Sequence, residues 1–160
     1  MVWHVTGLAG DHTQDVQVSV RDFIVAGWSL TGPLAVGNIQ FDTGWYDNQW
    51  QFQVHFRHDY FPQEDPKTIG SNYIHRYTDW VNIHVFVEMQ QDNTEPEELG
   101  KIYREIERIV GSNVTGLQAT QGFSFMRFSQ PLHNLRIDMN EETHFHGFGT
   151  LFIRYHKVNA

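Results

Sequence analysis

The hydrophobic pattern is clearest over Asp79–Val110, where an alternating segment precedes a segment with helical spacing. Apolar residues occupy every second position of Val81–Met89, which predicts a strand with one strongly apolar face. A helix is predicted over Glu95–Val110, because apolar residues then recur three or four positions apart. These helical positions are Leu99, Ile102, Tyr103, Ile106, Ile109 and Val110.

Capping signals stand at both ends of this predicted helix. Thr94–Glu97 has the spacing of a capping box and puts Pro96 at the first helical position. Gly111 follows the last apolar residue, at the place where a glycine commonly ends a helix. The acidic residues of the first turn are explained by the helix dipole, so the unit predicts a scaffold rather than a reactive site.

The residues before this unit predict a second helix. Val16, Val18 and Val20 alternate as a strand would, but one helical face also fits Val16 and Val20 together with Phe23, Ile24 and Gly27. The alternation breaks at Asp22–Ala26, which favours a helix over Gln14–Trp28. We expect residues 1–13 to form an N-terminal arm, and Ser29–Gly37 to be a loop because it contains Gly-Pro.

A hairpin is predicted next, from two alternating segments with a polar turn between them. Ile39–Trp45 and Trp50–Arg57 each place apolar and polar residues in turn, and Tyr46–Asn48 has turn composition. The alternation with glutamine and histidine predicts one wet face. Asp59–Ser71 follows without periodicity and carries two prolines and a glycine, which predicts a long loop that is functional or mobile.

The C-terminal third predicts three more strands. Two are expected around Leu117–Phe128 and Leu132–Met139, and a last one over Phe145–Val158. Gly147 and Gly149 within it mark a bulge or a close approach of other atoms. The predicted fold is α+β, with a mostly antiparallel sheet and two helices packed on one face, in a single domain over residues 14–160.

Composition narrows the function classes. The 160 residues contain 11 basic and 19 acidic side chains, for a formal charge of −8. This charge argues against binding of duplex nucleic acid as the main function. The chain has no cysteine, which excludes disulfides, thiolate metal sites and a cysteine nucleophile. We see no signal-peptide pattern and no apolar segment long enough to span a bilayer, so we expect a soluble protein made in a cytoplasm.

Two groups of residues allow a binding function. His144, His146 and His156 share one face of the last predicted strand, and alternate histidines can ligate a metal. Because such short motifs have low specificity, we favour the interpretation that these histidines decorate a solvent or subunit face, with no metal. A second group, Trp45, Tyr46 and Trp50, could bind a sugar by stacking, but aromatic residues more often fill a core or mark a protein interface.

No catalytic motif stands out in the sequence. Glu105 and Arg108 have the spacing of a surface ion pair on the predicted helix. No serine lies in a nucleophile-elbow motif, and the N-terminal Gly7–Gly10 segment lacks the lysine of a phosphate-binding loop. We therefore expect a protein without enzymatic activity and without a cofactor.

The order of elements in the C-terminal half resembles a group of viral proteins. Thr78–Val87 runs into the helix, a strand region with Arg136 and Asp138 follows, and Gly147–His156 closes the chain. This layout is similar to that of the tail terminator and neck (head–tail completion) proteins of tailed viruses. Terminator, neck and tube proteins share parts of it, so the resemblance leaves the position among them open.

The resemblance implies a structural component of the virion. Proteins of this group often form hexameric rings that cap the tail tube and join it to the head connector, and DNA passes through the lumen without specific binding. The implied contacts with ring neighbours or tube subunits lie in the Asp59–Ser71 loop, the N-terminal arm and the aromatic turn. The expected contact residues are Trp3, Trp45, Tyr46, Tyr60, Phe61, Gln63, Glu64 and Asp65.

Overall fold

The computed structural model describes residues 12–44, 49–57, 63–64, 74–88, 96–112, 123–134 and 144–158. Several sequence predictions fall outside these ranges. They concern the N-terminal arm before His12, the turn at 46–48, most of the predicted loop 59–71, the capping residues Thr94 and Glu95, and the strand positions Arg136 and Asp138.

The described residues form two helices and six strands, with two short 3-10 turns. This confirms the predicted α+β class with a mostly antiparallel sheet. In chain order the elements are α1 (His12–Gly27), the turns Gly32–Leu34 and Val36–Asn38, β1 (Gln40–Asp42), β2 (Phe52–Arg57), β3 (Gln63–Glu64), β4 (Ile74–Glu88), α2 (Glu97–Ser112), β5 (Phe123–Asn134) and β6 (His144–Val158).

β4 lies at the centre of the sheet, whose strand order is β1-β2-β4-β6-β5, with the short β3 also paired to β4. The longest pairing joins β4 to β6, antiparallel over fifteen residues from Ile74 opposite Val158 to Glu88 opposite His144. β2 pairs antiparallel on the other side of β4. β4, the strand with the clearest pattern in the sequence, is therefore the central strand of the sheet.

The predicted hairpin of Ile39–Trp45 and Trp50–Arg57 is wrong, because β1 and β2 run parallel. Gln40 lies opposite Gln53 and Asp42 opposite His55. Alternation of polar and apolar residues defines the two faces of a strand but says nothing about the direction of its neighbour. The predicted wet face is also wrong, since the polar side chains of Gln53 and His55 are completely buried.

Both predicted helices are confirmed, with different boundaries, and His12 and Thr13 belong to the first helix rather than to the predicted arm. α1 covers His12–Gly27, and Val20 and Ile24, four residues apart, are both fully buried. α2 extends through Gly111 to Ser112, so Gly111 does not end the helix as predicted. Pro96 lies immediately before α2 and its carbonyl accepts a hydrogen bond from the Leu99 amide at 3.2 Å.

Two predicted strands in the C-terminal third are one. β5 runs without interruption through Pro131, at an edge of the sheet, and its register with β6 shifts at three places. A proline is tolerated on an edge strand, and bulges disturb the period-2 pattern. The sequence therefore shows two short alternating segments where the chain forms one irregular strand.

The predicted loop over 59–71 is wrong at Gln63 and Glu64. These residues form β3, with Gln63 opposite Thr78 and Glu64 opposite Tyr77 of β4. Two residues are too few for an alternating pattern to be visible in the sequence.

One hydrophobic cluster joins the sheet and both helices. Alternate residues of β2, β4 and β6 supply its sheet side, and buried aliphatic residues of α1 and α2 supply the rest. This supports the expected packing of both helices on one face. The fully buried members include Val20, Ile24, Val54, Phe56, Val81, Ile83, Val85, Val87, Leu99, Ile102, Ile106, Met126, Leu151 and Ile153.

The glycines of β6 allow two close approaches, as the sequence predicted. The ring of Tyr103 on α2 lies where a Cβ atom on Gly147 would stand. The Tyr103 hydroxyl donates a hydrogen bond to Asn134 Oδ1 at 2.8 Å. Gly149 meets Leu132 and the Gln130 carbonyl near one of the register shifts of β5. A side chain at Gly147 would push α2 away from the sheet.

Candidate functional site on the second face of the sheet

The second face of the sheet carries a group of polar side chains that the sequence did not predict as a unit. Successive residues of a strand point to opposite faces, so the even-numbered residues of β4 and β6 lie opposite the hydrophobic cluster. The strand register brings side chains from β2, β4 and β6 together on this side. We call these residues the histidine face: Gln53, His55, Asn82, His84, Phe86, His144, His146, Phe148 and Thr150.

The polar residues of the histidine face are buried. Gln53 and His55 are 0% exposed, and His84 and His146 are each 7% exposed. Imidazole and amide groups are usually on the surface, and buried ones need hydrogen-bond partners. The chemistry of this face therefore depends on the hydrogen-bond partners of its buried polar side chains.

A direct hydrogen bond joins two histidines across β4 and β6. His84 Nδ1 lies 2.8 Å from His146 Nε2. The ring planes differ by 27° with centroids 5.1 Å apart, so the bond runs edge to edge between nearly coplanar rings. One ring must donate and the other must accept, which requires at least one neutral imidazole.

Aromatic rings enclose this histidine pair. Phe86 stacks on His146 with ring centroids 4.4 Å apart and planes 17° apart. Phe148 lies 5.1 Å from the His84 ring. His55 on β2 contacts Phe86 edge-on at 5.6 Å. The pair is thus packed among aromatic rings and largely shielded from water.

Two further hydrogen bonds meet at the carbonyl of Trp50. Gln53 Nε2 donates to it at 3.0 Å, and His144 Nε2 lies 2.7 Å away and acts as the second donor. The side-chain oxygen of Gln53, Oε1, accepts a hydrogen bond from His55 Nε2 at 2.8 Å. The backbone at Trp50 is therefore fixed from two strands, while the Trp50 side chain is 40% exposed.

The far end of the same face combines arginines with aromatic rings. The guanidinium groups of Arg127 and Arg154 lie 5.2 and 5.8 Å from the centre of the Phe152 ring. Trp80 contacts the same ring edge-on at 5.5 Å. Between the two ends, Thr150 donates a hydrogen bond to Asn82 Oδ1 at 2.8 Å.

Two of the three histidines considered from sequence as metal ligands, His144 and His146, have separate partners. His146 contacts His84, while His144 contacts the Trp50 carbonyl. The side chain of His156 lies outside the described set. Among the described residues, no three histidine or carboxylate side chains are placed to hold a metal ion.

Sequence reasoning missed the partnership of His84 with His146. His84 is visible as a polar residue in the alternation of β4, and His146 in that of β6. The sequence does not show that β4 and β6 are neighbours in the sheet, nor which residues face each other. The register, with Phe86 opposite His146 and His84 opposite Phe148, is needed to bring the two rings together.

Two of the eight expected contact residues, Gln63 and Glu64, are among the residues that the structure describes. Trp3, Trp45, Tyr46, Tyr60, Phe61 and Asp65 lie outside the described residues. Gln63 and Glu64 form β3. Trp50, next to the predicted aromatic turn, is one of two large hydrophobic residues exposed in the described part of the chain, and Val36 is the other, at 44%.

Away from this face, an ion pair of α2 with a buried carboxylate and a half-exposed arginine also bonds to the backbone at the end of α1. Glu105 is only 4% exposed and accepts hydrogen bonds from the Ser29 amide at 2.6 Å and from Arg108 Nε at 2.7 Å. Burial alone would raise the pKa of Glu105, but these hydrogen bonds outweigh it and lower the pKa from 4.5 to about 2. Arg108 also donates to the Gly27 carbonyl at 2.8 Å. The predicted Glu105–Arg108 pair thus exists, but its carboxylate is buried.

No protein-family model and no curated protein matches the chain. Within the described ranges, no helix is both long enough and apolar enough to cross a membrane.

Proposed function

We propose that this chain is a structural virion protein, a tail terminator or neck ring component without enzymatic activity. It caps the tail tube and joins it to the head connector, as part of a homo-oligomeric ring, with six copies as the expected number. DNA passes through the ring without specific binding. The protein is made in the host cytoplasm and ends in the virion.

The observation that carries this proposal is the order of the elements around β4. An N-terminal helix precedes the sheet, the long central strand leads through α2, and two antiparallel strands, β5 and β6, complete the fold. β4, α2 and β6 are the elements that carry the resemblance, and the parallel pairing of β1 with β2 stands in place of the hairpin that the sequence predicts before them.

A second observation concerns the surface through which copies would meet. Trp50, just before β2, is 40% exposed, while its carbonyl accepts hydrogen bonds from Gln53 and His144. A large aromatic side chain on a fixed backbone loses little conformational freedom on binding, which is typical of residues that dominate protein interfaces. It also lies beside the aromatic turn expected to make contacts.

The oligomeric state of the full chain tests the proposal. We expect size-exclusion chromatography with light scattering to give a closed oligomer several times the 18.7 kDa of one chain. Trp50→Ser should shift the distribution toward smaller species, because an interface aromatic commonly contributes about 2 kcal/mol or more. A compact monomer at high protein concentration that does not associate with tail tubes would contradict the proposal.

Val36→Ser is the matched control for this experiment. Val36 is the other large hydrophobic residue exposed among those the structure describes, and it lies in the second 3-10 turn. It should leave the mass of the assembly unchanged. Equal loss of assembly in both variants would show that Trp50 is not a specific contact.

A further inference from the structure

We propose that His84 and His146 form an acid-sensitive latch between β4 and β6. Their hydrogen bond joins β4 to β6 on the second face of the sheet at neutral pH, and it breaks when both rings become protonated. The inference concerns the fold itself and does not depend on the proposed function.

The geometry makes each ring the direct partner of the other. Their nitrogens are 2.8 Å apart and both side chains are 7% exposed. The two residues are 62 positions apart in the chain and belong to the two strands that share the longest pairing of the sheet. Loss of this bond therefore acts on the central pair of strands.

Proton counting explains why acid breaks the bond. Two neutral imidazoles share one N–H···N hydrogen bond, and the bond survives when the donor ring takes up a second proton. When the acceptor ring is protonated too, both facing nitrogens carry hydrogen and two positive charges meet at contact distance. The folded pair can therefore hold one extra proton, whereas the two histidines of the unfolded chain can take up two.

The sign of the pH dependence follows from this difference. Free histidine has a pKa of about 6.5, so the unfolded chain binds more protons than the latched pair below that pH. Stability then falls as the pH falls. For a difference of one proton, the unfolding equilibrium constant rises about tenfold per pH unit.

Other basic side chains on this side of the sheet come from each neighbouring strand. They are His55 and Arg57 of β2, His144 and Arg154 of β6, and Arg127 and His133 of β5. Two described carboxylates are on the same side, Asp42 and Glu88. Asp42 lies on β1, opposite His55, and Glu88 is exposed at the end of β4, opposite His144.

The matched variants are His84→Asn and His133→Asn in the full chain. Asparagine places an amide nitrogen close to the position of histidine Nδ1, so His84→Asn can still donate to His146 but does not titrate. His133 Nδ1 lies 2.9 Å from the Pro131 carbonyl, and a histidine that donates to a carbonyl keeps its bond when it is protonated. His133→Asn therefore removes a histidine of the same face without removing a latch.

Denaturant unfolding of the three proteins between pH 8 and pH 5 tests the latch. Below pH 6 we expect the unfolding constant of the wild type to rise up to about tenfold more per pH unit than that of His84→Asn. The His133→Asn control should follow the wild type. Parallel pH dependence of the wild type and His84→Asn would overturn the proposal.

Nuclear magnetic resonance of the folded wild type gives a second test that needs no stable variant at position 84. The ring protons of the two latch histidines should titrate in two separate steps, with the second step at least one pH unit below the first and accompanied by loss of folded signals. Titration of both rings in a single step near pH 6.5, with the folded spectrum retained, would also overturn the proposal.

Discussion

At the scale of single residues, the chemistry of this protein depends on how polar groups are buried. Glu105 shows this most clearly, because its spacing from Arg108 predicts an ordinary surface pair while the structure buries the carboxylate. The contact with Ser29 could not be predicted from sequence, since Ser29 lies 76 positions away in the segment after α1. A buried carboxylate with several hydrogen-bond donors joins the segments that supply those donors. Its protonation at low pH therefore lowers the free energy of unfolding.

The lowered pKa of Glu105 predicts how the free energy of unfolding changes at low pH. The pKa of this carboxyl is about 2 in the folded chain and 4.5 as a reference, so its contribution is present above pH 4.5 and is lost as the pH falls toward 2. Over that interval the loss is about 3 kcal/mol at most. We expect Glu105→Gln to unfold at lower denaturant concentration than wild type at pH 7, with the gap closing toward pH 2.

Glu97→Gln is the control for this prediction. Glu97 is exposed and lies 3.8 Å from Lys101, in an ion pair that contributes at most about 0.5 kcal/mol. Its unfolding curve should follow the wild type at both ends of the pH range. If the gap between Glu105→Gln and the wild type stayed constant with pH, the carboxylate would not be the stabilising group.

At the scale of elements, the predictions that succeeded concern single strands and helices. The alternation over Val81–Met89 and the helical spacing over Glu95–Val110 describe β4 and α2 well, because each pattern reflects which face of one element is buried. Two kinds of prediction were wrong. The direction of β1 against β2 and the continuity of β5 depend on neighbouring strands, which a local pattern does not contain.

Substitutions at two glycines test how α2 packs on the sheet and where the helix ends. Gly147→Ala puts a methyl group where the Tyr103 ring lies, and should destabilise the fold by about 1–3 kcal/mol.

Gly111→Ala should instead stabilise the fold, by up to about 1 kcal/mol, because Gly111 lies inside the helix with open space around it. Thermal unfolding measures both changes.

The opposite sign for Gly111→Ala would favour the original sequence prediction. A glycine that ends a helix usually has a left-handed backbone conformation, in which alanine is strained. For Gly147, the double variant with Tyr103→Ala should lose less than the sum of the two single variants, since the clash is then absent. Additive effects would mean that Tyr103 does not pack over Gly147.

At the scale of the whole molecule, the sheet has two faces with different roles. One packs on the cluster shared with both helices, and the other carries buried histidines at its centre and arginines beside Phe152 at one end. The sequence predicted the first face from its apolar residues. It could not predict the histidine face, because His55, His84 and His146 come from three strands whose order and register are set only by the folded sheet.

We propose that copies of this chain form a ring on the end of a tail tube, and electron microscopy can detect such a ring. Growing tail tubes of a tailed virus would be imaged with and without a saturating amount of the purified protein. We expect one ring at one end of each tube and no further growth from that end. Bare tube ends, or tubes that keep growing in the presence of the protein, would contradict it.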